Sequence, residues 1–81
     1  MTEYPDYDRI LAACRKEVEA KDEAYGAMWK NYADKEWWIT RLTNEAKEAK
    51  VAQTVVEERR KYVNIVNLAA MAWEMRDGMN K

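Results

Sequence analysis

Three groups of residues in this 81-residue chain have types and spacings that can carry chemistry on a helix. Glu45 and Glu48 stand three apart, as do Asn64 and Asn67. Residues at that separation share a helix face. The first pair therefore offers two carboxylates side by side, the donor set a hard divalent cation takes. The second offers two amides, suited either to a base or ribose edge or to an interhelical hydrogen-bond pair that fixes register. Arg59-Arg60-Lys61 follows Glu57-Glu58, and reads either as a solvated face laced with ion pairs or as a phosphate clamp. Arg41 converges on the same pocket in the second case and lies over Trp37 or Trp38 in the first.

The aromatic residues are unusual: four Trp, five Tyr and no Phe. Four indole N–H groups need partners, which is a heavy load for a small core. Trp37 and Trp38 project about 100° apart on a helix, so they do not easily enter one core. One of them is expected to meet another subunit, a ligand base or other side chains of its own chain. Tyr25, Trp29 and Tyr32 bracket Gly26 and would line an aromatic mouth if a pocket opens there.

The inventory also excludes much. With no His and one Cys, a disulfide framework, a zinc-finger-type site and any Ser-His or Cys-His catalytic pair are ruled out. Metal chemistry is left to carboxylates, hence Mg²⁺ or Mn²⁺. A net charge of −1 lacks the basic footprint of a duplex nucleic-acid binder. Nothing resembles a signal peptide or an apolar run of 18 residues, so the expectation is a cytoplasmic protein without a membrane partner. Cys14 falls on an apolar stripe and reads as a buried, inert thiol.

The elements that must position these groups are helices. Only two Gly and one Pro interrupt the chain, and no run of β-branched and aromatic residues is bounded by turn residues. The prediction is one all-α domain over 1–81, a three-helix module or helical hairpin completed by homo-oligomerisation, since a chain this short buries little of its own surface. A first helix starts near Asp6, just after Pro5, and stops at Gly26. Its stripe is Tyr7, Leu11, Cys14, Val18 and Tyr25, widened by Ile10. A second spans about Tyr32 to Lys50, with Trp38, Leu42, Glu45 and Ala49 in line. A third spans about Val51 to Asp77, closed by Asp77-Gly78. Its stripe is Val51, Val55, Tyr62, Val66, Ala69 and Trp73. No Gly or Pro marks the break near 47–53, so the last two segments also read as one bent helix.

Three patches carry a family resemblance. Lys21-Asp22-Glu23-Ala24-Tyr25-Gly26-Ala27-Met28-Trp29 resembles the K-x-x-D-Y-G-x-x-W signature of small phage and bacterial nucleotide-modification-associated domains. Lys35-Glu36-Trp37-Trp38-Ile39-Thr40-Arg41-Leu42 is similar to that family's Lys-x-x-Arg-Ile/Leu helix. The segment from Val63 to Ala72 resembles its D-I-I-N-Y-A-x-M-A helix. The resemblance covers most of the chain, roughly residues 8–75. That family is similar to the MazG-type all-α nucleotide pyrophosphohydrolases, which hold Mg²⁺ against a triphosphate with acid pairs on two helices. Glu45-Ala46-Lys47-Glu48 has the first pair's spacing, but the second pair aligns with Arg60 or Lys61 and with Asn64. Ala24 replaces the signature Asp.

The resemblance therefore implies a non-catalytic phage-type module that binds a nucleotide or nucleotide-derived signal, such as a second messenger of host immunity, in the host-cell cytoplasm. Arg41, Arg60 and Lys61 would meet phosphate, Asn64 and Asn67 the base or sugar, and Trp38, Tyr25 and Trp29 would stack; no cofactor is needed. One alternative is a Mg²⁺-dependent pyrophosphohydrolase holding its metal with Glu45, Glu48 and a neighbour. The other is an interaction protein that docks a partner through exposed tryptophans.

Overall fold

Asp6 begins the first helix. Its carboxylate accepts the backbone N–H of Arg9 at 3.2 Å, occupying one of the donors a helix start leaves without a partner. Helix α1 then runs Tyr7–Tyr25. The structure, a computed structural model, describes residues 3–25, 28–31 and 34–79, and of 22–25, 28, 31, 78 and 79 the backbone only. The expected stop at Gly26 lies outside the described residues.

A single 3₁₀ turn, Met28–Asn31, precedes α2, Lys35–Lys50. The sequence pattern suggests a start near Tyr32; the helix begins later because Asp34 is its N-cap, accepting from the Glu36 N–H at 3.1 Å. Helix α3 spans Val55–Met79. It passes through Gly78, where the sequence reading ends it; a glycine lowers helix propensity by about 1 kcal/mol but does not forbid a helix.

The two later helices are separate, and the break falls at 51–54. Thr54 and Glu57 make it. The Thr54 hydroxyl accepts from Glu57 N–H at 3.1 Å, and the Glu57 carboxylate accepts from Gln53 N–H at 3.1 Å. This reciprocal arrangement closely follows the capping box, in which two side chains three residues apart each accept a backbone N–H at the start of the helix. Thr54-x-x-Glu57 is visible in the sequence and is the signal for the boundary. Neither Gly nor Pro was needed.

Among the described residues there is no strand. Helix α3 packs chiefly against α2 and less extensively against α1. The core is thin: among the described side chains only Trp38 (1% exposed) and Cys14 (3%) are buried. The apolar stripe expected to bury α3 instead faces outward. Val55, Tyr62 and Val66 are exposed on it, and Trp73 is 63% exposed. The physical reason is that α3 carries apolar residues around much of its girth, and the chain has only two other helices to cover it. The faces it uses inside the molecule hold Lys61, Asn64, Ile65, Asn67, Leu68 and Met71, all partly buried.

The molecule is correspondingly open. Its accessible surface is 6893 Å², whereas a 9.6 kDa monomer is expected to expose about 5,100 Å². Its radius of gyration is 13.8 Å, against about 11.7 Å for a compact domain of this length. No helix among the described residues is long and apolar enough to cross a membrane.

Candidate functional site

Helices α1, α2 and α3 each contribute to one polar seam. On α2, Glu45 and Glu48 lie a turn apart, as their spacing requires. On α3, Lys61 and Asn64 answer them. Lys61 Nζ stands 3.4 Å from Glu48 Oε1 and 3.9 Å from Glu45 Oε2. The Asn64 amide N–H donates to Glu45 Oε2 at 3.3 Å, while its carbonyl accepts from Lys21 Nζ of α1 at 3.2 Å. Lys21 in turn pairs with Glu17 at 3.5 Å. The amide of Asn64 is thus read from both sides, by an anion that takes its N–H and a cation that takes its oxygen.

The seam alternates in charge along Glu17, Lys21, Glu45, Lys61 and Glu48. An ammonium lies where two carboxylates three apart would otherwise gather a divalent cation. The Mg²⁺ that the pyrophosphohydrolase alternative needs does not fit this arrangement: Lys61 supplies the counter-charge, Asn64 brings an N–H rather than an oxygen anion to Glu45, and among the described residues no group of three or more acids, Cys or His converges. These ion pairs are partly solvated, with Glu48 about half exposed, so each contributes modestly.

Asn67 lies one turn beyond Asn64 and donates to the backbone carbonyl of Cys14 at 3.1 Å. That bond joins residues 53 apart in sequence and fastens α1 to α3. Burial pushes the neighbouring Cys14 thiol above its ordinary range, because the thiolate would have to be desolvated. Both asparagines therefore make interhelical bonds, the register-fixing role that their spacing allows.

The remaining candidates are dispersed. Trp38 is the central buried side chain and takes Trp37 edge-on, with centroids 4.8 Å apart and planes at 89°. The adjacent rings therefore touch, although they leave the helix in different directions. Arg41 lies over the outer face of Trp37, 5.5 Å from its centroid. Trp29 is partly buried under Lys30, at 5.7 Å. Arg60 is exposed, one turn before Asn64 on the same helix. The side chain of Tyr25, Gly26 and Tyr32 lie outside the described residues, so the aromatic mouth expected there does too.

Two participants were not singled out from the sequence. Lys21 reaches Asn64; the signal was its i, i+4 relation to Glu17. Tyr62 hydrogen-bonds Glu58 one turn earlier. That bond, with smaller contributions from desolvation and the carboxylate's charge, raises the phenol's pKa. Tyr62 also borders an open groove of about 420 Å³ between α2 and α3, lined by Ala46, Ala49, Lys50, Glu58 and Ile65.

The chain matches no protein-family model, no curated protein and no solved structure.

Proposed function

We propose that the protein is a non-catalytic binding module that acts as a homo-oligomer and takes a nucleotide or nucleotide-derived anion without a metal. The observation that carries this reading is Lys61 between Glu45 and Glu48. A pyrophosphohydrolase of the resembling kind needs those carboxylates free to hold Mg²⁺ against the triphosphate. Here a fixed protein cation neutralises them, and the acid pair becomes part of the scaffold.

The ligand face in this reading is the α1-side edge of the seam. Arg60 stands one turn from Asn64, and Lys21 touches that amide. With the Asn64 amide holding Lys21 in place, an exposed guanidinium and an ammonium on one edge suit a phosphate. Lys61 then serves the scaffold rather than the phosphate. Arg41, stacked on Trp37, offers a second planar cation and ring on which a base can lie.

The test is a thermal-shift and tryptophan-fluorescence titration with linear and cyclic nucleotides, with and without Mg²⁺. The reading predicts a saturable, Mg²⁺-independent shift for at least one ligand, lost in Arg60→Ala. Binding at 100 times the dissociation constant stabilises by about 2.7 kcal/mol. Pyrophosphate release that needs Mg²⁺ and dies in Glu45→Gln would establish the enzyme instead. No response to any nucleotide, with a protein partner that Trp37→Ala releases, would establish the interaction protein.

A further inference from the structure

The outer face of α3 carries a palindromic series of exposed residues. Arg59, Tyr62, Val66, Ala69, Trp73 and Arg76 follow one another at three, four, three, four and three residues, and all six are exposed. The steps of three and four are those of a helix-pairing seam. The order also reads alike from either end: cation, ring, aliphatic, aliphatic, ring, cation. A two-fold axis between positions 67 and 68 therefore brings Tyr62 of one copy level with Trp73 of the other, and Val66 level with Ala69. When two helices run antiparallel the central rings and aliphatic residues match one another, the geometry of an isologous dimer, while Arg59 and Arg76 face each other at the solvated ends.

The groove beside Tyr62 gives Trp73 somewhere to go. It is open to solvent, about 420 Å³, and is floored by Ala46, Ala49 and Ile65 with Glu58 at its rim. Trp73 is 63% exposed in its own chain. An indole entering from a second copy would bury its ring on the small side chains, and its N–H would find the Glu58 carboxylate. The area agrees. The chain exposes about 1,800 Å² more than a compact monomer of its mass, whereas a stable interface takes about 800 Å² from each partner.

We propose that α3 pairs antiparallel with α3 of a second copy, each Trp73 seating in the groove beside the other copy's Tyr62. This rests on the homo-oligomer reading and names the surface that reading needs. The parallel alternative would stack Trp73 on Trp73 and leave both grooves open. A charge placed on this face does not disturb the monomer's interior, because Val66 and Trp73 already face water within one chain.

Light scattering at micromolar concentration tests the surface with the wild type, Val66→Glu and Trp73→Glu, helicity being followed by circular dichroism. The proposal predicts twice the 9.6 kDa chain mass, or a multiple of it, for the wild type. Each variant should show at most half the wild-type mass with its helix signal intact. A wild type that stays at one chain mass overturns both the surface and the homo-oligomer reading. A wild-type oligomer that neither variant dissociates overturns this surface alone. Should the variants lose their helix signal, mild oxidation of copies carrying Val66→Cys mixed with copies carrying Ala69→Cys decides. Preferential mixed cross-linking supports the antiparallel register, and cross-linking of like with like overturns it.

Discussion

Replacing Lys61 with Met keeps most of the side chain's volume and removes its charge. The loss can be worked from the seam. The pair with Glu48, 3.4 Å apart, involves a carboxylate 54% exposed, so its share is about 0.2–1 kcal/mol after solvent screening. Glu45 is less exposed at 17%, and its contact is longer at 3.9 Å. Its carboxylate keeps the Asn64 amide but loses its cation, which adds about 1 kcal/mol. A total of about 1–2 kcal/mol corresponds to a fall in Tm of roughly 5–15 °C for a domain of this size. Thermal denaturation of Lys61→Met, Glu45→Gln and the double variant closes a cycle that isolates the coupling. Glu45→Gln should recover part of the Lys61→Met loss, and the recovery should shrink in 1 M salt. Additivity of the two changes within about 0.3 kcal/mol would refute it.

Three further outcomes follow from the same geometry. Among the described residues, Trp38→Ala removes the one large side chain that is fully buried; at about 3–5 kcal/mol it should leave the chain largely unfolded at 37 °C by circular dichroism. Asn67→Ala leaves the Cys14 carbonyl without its donor and should cost about 1–2 kcal/mol; thiol alkylation under native conditions should then accelerate, because α1 separates from α3 more often. The folded thiol of Cys14 has its pKa raised, so the unfolded chain ionises first as pH increases. Stability should accordingly be constant below about pH 9.0 on account of this group and decline above it, an alkaline loss absent in Cys14→Ala.

Much of the fold was legible because local chemistry and global packing agree in α2, whereas on the α1 stripe Cys14 is buried but Tyr7, Ile10 and Leu11 are exposed. Asp6 caps where its position after Pro5 suggests, and Cys14 and Trp38 are buried on the stripes that hold them. The boundary between α2 and α3 was also written in the chain, but in Thr54 and Glu57 rather than in a helix breaker. The α3 stripe was harder to interpret. Val55, Tyr62, Val66 and Trp73 have core periodicity, yet periodicity says only that a face is apolar, not which surface covers it. Within one chain α3 spends its more polar sides on α1 and α2, because Lys61, Asn64 and Asn67 find charged and carbonyl partners there. The seam itself was half legible. Spacing placed Glu45 with Glu48 and Asn64 with Asn67, whereas the junction of Lys21, Asn64 and Glu45 depends on three helices meeting, which no local pattern encodes.

The proposed function turns on Lys61, whose ammonium pairs with Glu45 and Glu48 where a divalent cation would need them free. The most direct measurement is isothermal titration of the purified protein with a panel of nucleotides, run in EDTA and in Mg²⁺, with pyrophosphate release followed in the same samples. The account predicts saturable binding of at least one nucleotide in EDTA, unchanged by Mg²⁺, with no pyrophosphate released. Binding that appears only with Mg²⁺, accompanied by hydrolysis, would contradict it.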